Sequence, residues 1–258
     1  MALFKEARRR RIRARVFPSD WLLILKKNVP LYRRLPDGDK QELEGHIQVF
    51  LAEKHFEGAG GLKMSDEIRV TIAAQACILL LHRKTDYYPG LFSIIVYPHE
   101  YVARHIEWDE TGVVIEGVQS RLGESWRRGA VVLAWDHVRA GAADIHDCHN
   151  VVFHEFAHQL DAEDGSVDGS PALPRRSMYI TWARILGKEY EDLRKNATHG
   201  NRTLLDRYGA TNPAEFFAVA TECFFKNPVQ MKRRHPELYE ELRLYYEQDP
   251  AGLVEPGG

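Results

Sequence analysis

The chain has 258 residues, 44% of them apolar, enough to bury a substantial core in one large domain or two small ones. A formal charge of -2 gives no overall electrostatic reason to expect nucleic acid as a partner. The three cysteines, Cys77, Cys148 and Cys223, lie far apart without a C-x-x-C pair, so neither a disulfide framework nor a cysteine metal site is suggested.

In chain order, residues 5 to 15 carry Lys5, Arg8, Arg9, Arg10, Arg11, Arg13 and Arg15, a charge block that reads as a solvated arm or helix face. No apolar core or small-residue cleavage site follows these arginines as it would in a secretory signal, and a reducing, cytoplasmic location is the expectation. From Pro18 to about Phe56 the pattern is helical, with Ser19 and Asp20 before Trp21 to Leu25, and Asp37 or Asp39 before a second periodic run through Ile47, Phe50 and Leu51. Gly58-Ala59-Gly60-Gly61 marks a turn, after which Ser65 and Glu67 open a helix ending near Leu81. Its apolar part, Val70 to Leu81, contains Gln75 and is too short to span a bilayer, so no membrane partner is expected. Leu91 to Tyr97 and Ala130 to Trp135 are rich in β-branched and aromatic residues and predict strands, with a weaker signal over Val113 to Val118.

A small sheet is thus expected ahead of the most informative run in the chain, His154-Glu155-Phe156-Ala157-His158. Val151, Val152, Phe156 and Leu160 supply apolar surface at helical spacing, Asn150 can cap the start, and Gly165 follows the end. Two histidines four apart on a helix face one ion, and the intervening glutamate can address a zinc-activated water as general base, so this is the arrangement of a zinc hydrolase. A catalytic zinc takes three protein ligands and leaves one position open, so a third must come from elsewhere.

Two places compete for it. Asn212-Pro213-Ala214-Glu215 opens a downstream helix and offers Glu215, although the three-residue offset from Asn212 also fits a capping box, and Glu222 lies seven residues later on the same face as a fallback. Asp164, six residues after His158 in a loop crowded with Gly, Ser, Asp and Pro to Pro174, occupies the local position used by metzincins, but their turn-making glycine is replaced here by Asp161. Asp161 has another use: beyond both histidines along the helix, it can accept a hydrogen bond from a ligand imidazole, or it can be a solvated carboxylate at a helix end. The chain from about Ser177 reads as helical again.

Together Gly58 to Leu62 with the helix to Leu81, Gly129 to Asp136, His154 to Asp161 and Tyr208 to Phe217 resemble the Mlc titration factor A family of bacterial zinc peptidases, itself similar to the catalytic domain of anthrax lethal factor. The resemblance implies an α+β, mainly helical zincin-type metallopeptidase with a small sheet preceding the H-E-x-x-H helix. The turn at Gly58 to Gly61 is where the catalytic domain is expected to begin, giving a basic arm and helical segment over 1–57 packed on a zinc metallopeptidase catalytic domain over 58–258. The resemblance implies one zinc ion per chain on His154, His158 and Glu215, Glu155 as general base, and Tyr208 as hydrogen-bond donor to the transition state. It implies gluzincin-like hydrolysis of peptide or protein substrates, aminopeptidase action included, with the sheet edge near Ala130 to Trp135 receiving an extended substrate. It also implies binding of the transcriptional repressor Mlc to regulate sugar-uptake (glucose phosphotransferase) genes, either beside proteolysis or as a non-catalytic sequestering role. Direct nucleic-acid binding by the basic run has no recognition module to accompany it.

Overall fold

Prolines set the helix boundaries in the first part of the chain. In the computed structural model, which describes residues 2–99, 102–108, 114–120 and 129–254, α1 (Ala2–Arg13) is followed by α2 (Ser19–Asn28), α3 (Pro30–Arg34) and α4 (Asp37–Glu53). Pro18 and Pro36 occupy the cap positions of α2 and α4, so Ser19 and Asp37 are the first helical residues. Pro30 opens α3, where its missing N–H removes no intrahelical bond.

The basic run forms α1, which docks through one face. Arg9 is 3% exposed, with Nε and Nη2 donating to Glu53 at 2.9 and 2.7 Å and Nη1 to Asp86 at 2.5 Å. Its guanidinium lies 4.6 Å from the centre of the Tyr87 ring, and Ile12 joins the core one turn further on. Arg8, Arg10, Arg11 and Arg15 remain exposed, as the sequence suggests. The charge pattern alone does not reveal the docking, because Glu53 and Asp86 lie 44 and 77 residues away.

After α4 the chain enters β1 (His55–Gly58), then α5 (Asp66–Ile78), β2 (Ser93–Tyr97), β3 (Val102–Trp108), β4 (Val114–Ser120) and β5 (Ala130–Ala134). β1, β2 and β5 form a parallel sheet in that order, with His55 opposite Ser93 and Ser93 opposite Ala130. α5 makes the crossover that parallel neighbours require, and Ser65 caps it by accepting from the Ile68 N–H. Three boundaries differ from the sequence reading. His55 and Phe56 lie in a strand rather than at a helix end, because a four-residue strand is too short to show a period. Trp135 starts a helix rather than ending a strand, and α5 stops at Ile78, with turns through Leu81. β3 and β4 pair antiparallel, and β4 matches the weaker strand signal; Val113 lies outside the described residues.

The remainder is helical: α6 (Trp135–Ala143), α7 (Val151–Asp161), α8 (Met178–Thr198), α9 (Pro213–Lys226), α10 (Pro228–Arg234) and α11 (Pro236–Tyr246). α7 and α9 run through the centre of the core. Phe156 of α7 meets Phe50 of α4 and Tyr88 at centroid distances of 5.7 and 4.8 Å, and Phe224 of α9 stacks on Tyr246 of α11 at 5.7 Å. The architecture is therefore mainly helical with a small sheet ahead of the H-E-x-x-H helix, as expected. No helix among the described residues is long and apolar enough to cross a membrane.

The cysteines depart from expectation. Cys148 and Cys223 are disulfide-bonded across 75 residues, while Cys77 is a buried free thiol. Their spacing carries no motif; the pairing arises because α9 packs beside the segment leading into α7.

Replacing Arg9 by Met leaves the partly buried Glu53 with only the exposed Arg8, 3.7 Å away, among the described residues, and is expected to lower stability by about 2 kcal/mol in urea unfolding. Adding Glu53→Leu should restore most of it, since two apolar groups remove the unpaired charge. Loss below about 0.5 kcal/mol in the single variant, the level of an ordinary surface substitution, would show that α1 is not held by this pair.

Candidate metal centre

The two histidines share a face of α7 because the helix forms as the sequence dictates. Asn150 caps it, its Oδ1 accepting from the Phe153 N–H at 2.9 Å, and Val152, Phe153, Phe156, Ala157 and Leu160 bury the opposite surface. α9 begins in the same way, with Asn212 Oδ1 accepting from the Glu215 N–H at 2.9 Å and Pro213 in the first turn. Glu215 thus donates its backbone to the cap while its carboxylate points elsewhere. That carboxylate lies 2.9 Å from His154 Nε2 and 3.4 Å from His158 Nε2, and the two Nε2 atoms are 3.2 Å apart.

His154, His158 and Glu215 therefore form a group that can hold a metal ion. Tetrahedral coordination with bonds near 2.0–2.1 Å separates ligand atoms by about 3.3 Å, close to all three spacings. The donor set, two imidazoles and one carboxylate, leaves a fourth position for water or substrate. In the metal-free group the charges compensate one another. Against a desolvation that would raise it, hydrogen bonds from His154 and His158 pull the Glu215 carboxyl down to about 2. Burial opposes charging of His154, but Glu215 and Glu222 prevail and raise its pKa; at His158 burial wins and lowers it.

Glu155, 2% exposed, sits beside this group, and its Oε2 has no hydrogen-bond partner among the described residues. Burial pushes its carboxyl up to about 8. Tyr208 comes from the 3-10 turn Arg207–Ala210, held by Asp206, whose Oδ1 accepts the Tyr208 N–H at 2.7 Å. Its ring centroid is 6.0 Å from that of His154, and the residue is 55% exposed, at the open side of the site. Partial desolvation and the charges of Glu215 and Glu155 raise its pKa, so the hydroxyl keeps its proton at neutral pH.

The other sequence candidates fall outside the converging atoms. Asp164 is exposed and accepts from the backbone and hydroxyl of Ser166. Asp161 is buried but holds no imidazole: its Oδ2 accepts the Gly169 N–H at 2.8 Å. Glu222 reaches His154 from the opposite side, Oε1 lying 2.8 Å from Nδ1 rather than Nε2. Gly169 was not legible in advance. At φ +79, an added Cβ would stand 2.3 Å from the Pro213 carbonyl oxygen, so glycine there lets the loop after α7 lie against the start of α9. A second histidine–carboxylate group, Asp39, Glu42 and His82, lies between α4 and the turn after α5. It is closed by its own bonds, His82 reaching Asp39, Glu42 and the Glu247 carbonyl, each at 2.9 Å.

A helical H-E-x-x-H pair completed by a glutamate from a second helix, under a small sheet, defines a zincin-type metallopeptidase. Residues 4–247 match the glucose-regulated metallo-peptidase M90 family. The chain is 42% identical over 244 residues to an uncharacterized protein of Synechocystis sp., covering 94% of this chain and 89% of that protein. It is 31% identical to Mlc titration factor A of Serratia proteamaculans over 233 residues, 88% of this chain and 87% of the relative. It is likewise 31% identical to Mlc titration factor A of Edwardsiella ictaluri over 240 residues, 88% and 90%. The chain belongs to the peptidase M90, or Mlc titration factor A, family.

Because the three ligand residues come from two helices, a bound ion ties those helices together in the folded state only. Adding divalent metal to chelator-stripped protein at about 1,000 times the dissociation constant should stabilise it by about 4 kcal/mol and raise its melting temperature on the order of 10 °C. A His154→Ala, His158→Ala double variant should show no such rise in a thermal melt; an undiminished rise would move the metal elsewhere.

Proposed function

We propose that this protein is a zinc-dependent peptidase whose metal is held by His154, His158 and Glu215. The observation that carries the reading is the convergence of those three side chains beside the buried Glu155, whose Oε2 is unpartnered among the described residues. Zinc is favoured among divalent ions by the donor set of two imidazoles and one carboxylate with room for a fourth ligand. Bound there, it supplies a Lewis acid that polarises the scissile carbonyl and activates water. Glu155 takes the proton from the attacking water and delivers it to the leaving amine. Tyr208 donates its hydroxyl hydrogen bond to the carbonyl oxygen as that atom gains negative charge. An extended peptide adds to β5, the outer strand of the parallel sheet among the described residues, through main-chain bonds that carry little sequence information. Aminopeptidase action is one form of this activity, and a cytoplasmic location belongs to the same proposal.

Glu155→Gln should retain its metal and lose peptide hydrolysis by about 100-fold or more, the scale of a general base, in a peptide-library digest. Turnover at the native rate would remove Glu155 from the mechanism. Glu215→Gln should release the metal while Asp164→Asn keeps it, as read by elemental analysis. The Asn212 cap bonds the Glu215 backbone N–H and is kept in Glu215→Gln, so metal loss there reads ligation alone.

A second reading is favoured by the relatives named Mlc titration factor A. In that reading the chain binds the repressor Mlc and so relieves repression of glucose phosphotransferase genes, with or without proteolysis. Glu155→Gln separates the two: a variant that still binds Mlc in a pull-down and still relieves repression in cells assigns the cellular role to sequestration. Loss of derepression with binding intact assigns it to proteolysis.

A further inference from the structure

We propose that Glu222 is a positioning residue for this metal centre, fixing the proton of His154 on Nδ1 so that Nε2 presents a lone pair to the ion. The inference rests on the metal-binding reading of His154, His158 and Glu215 and adds what makes His154 competent to ligate.

A carboxylate only accepts hydrogen bonds, so the 2.8 Å contact from Glu222 Oε1 to His154 Nδ1 requires a proton on that nitrogen. By the same rule the 2.9 Å contact to Glu215 Oε2 takes a proton from Nε2; an ion seated among His154, His158 and Glu215 would displace that proton, while Glu222 keeps the other on Nδ1. Partners of this kind, set behind a ligand histidine, fix its tautomer and ring orientation.

The second oxygen gives Glu222 its leverage. Oε2 accepts the backbone N–H of Asn150, the residue that caps α7. One carboxylate thus grips both the cap of the metal helix and the imidazole one turn along it. Asn150 is itself immobilised, its Nδ2 donating to Gln75 Oε1 at 2.8 Å and to the Gly141 carbonyl at 3.2 Å. One turn further along α9, the buried Lys226 ammonium donates to the Gly141 and His149 carbonyls at 2.5 and 2.8 Å and pairs with Asp147 at 2.8 Å. Between them Cys223 is bonded to Cys148. The last turns of α9 therefore hold the segment entering α7 residue by residue, and Glu222 transmits that placement to the ligand.

Glutamine at this position separates positioning from packing. It has nearly the same shape, but one of its two terminal atoms becomes an NH2 donor. The Asn150 N–H can only donate, so the amide oxygen turns toward it and the NH2 toward His154 Nδ1. Both hydrogen bonds survive, yet His154 is driven to the tautomer with its proton on Nε2, the atom the metal needs.

The experiment compares native protein, Glu222→Gln, Glu222→Asp and, as a control, Glu241→Gln, an equally buried carboxylate on α11. Zinc affinity is read by competition with a chelator, and the imidazole protonation pattern by 15N NMR. Expected are folded Glu222→Gln protein with zinc affinity lowered about 10- to 100-fold, a smaller loss in Glu222→Asp, and no change in Glu241→Gln. In zinc-loaded native protein the His154 proton should be on Nδ1. Native affinity in folded Glu222→Gln, or zinc bound through Nδ1 in the native protein, overturns the proposal. If neither Glu222 variant folds, the native zinc-loaded spectrum decides alone. If native protein takes up no zinc, the metal reading fails separately. The Glu222 inference then stands or falls on whether His154 Nδ1 carries a proton in native protein and is bare in Glu222→Gln.

Discussion

The apposition of α7 and α9 is the constraint on which the rest of the structure depends. Each helix is apolar on most of its surface, and burying those faces against each other and the surrounding aromatics is the dominant favourable term in the fold. That burial also leaves two histidines of one helix facing a carboxylate of the other at hydrogen-bond distance. The site is a by-product of core packing in the sense that no loop needs to be ordered to bring its three ligand atoms together. This rigidity is what a metal centre requires, since misplacing a ligand by an ångström removes a bond.

Concentrating Glu155, His158, Asp161, Glu222 and Lys226 in the same buried layer is costly unless nearly every charge finds a partner. Most of them do, and the pairings run between the two helices and the segment that enters α7: Glu222 to His154 and Asn150, Lys226 to Asp147 and His149, Asp161 to Gly169. Glu155 Oε2, like Asp161 Oδ1, has no hydrogen-bond partner among the described residues. What distinguishes Glu155 is its place beside the converging atoms of His154, His158 and Glu215, where a reacting water can supply the missing partner.

The N-terminal helices and the sheet act on the site through contact rather than chemistry. Phe50 of α4 and Tyr88 pack on Phe156 in the middle of the H-E-x-x-H run, and Arg9 ties α1 to the end of α4. Family membership over residues 4–247 includes these elements along with the catalytic helices.

What the sequence alone determined is local. Residues four apart on a helix share a face whatever the fold around them, so His154, Glu155 and His158 were legible from spacing, as were the caps Asn150, Ser65 and Asn212, whose side chains bond backbone only three residues away. The tertiary structure decided everything that required two distant segments. Glu215 fitted a cap or a ligand equally well by its offset from Asn212, and only the packing of α9 on α7 turned its carboxylate to the histidines. The carboxylate behind a ligand imidazole is Glu222, 68 residues from His154, rather than Asp161 on the same helix. The partners of Arg9, the pairing of Cys148 with Cys223 and the strand at His55–Gly58 likewise depend on neighbours far along the chain. Helix periodicity is written into adjacent residues, whereas a hydrogen bond between helices depends on how their apolar faces settle, which no short stretch of sequence contains.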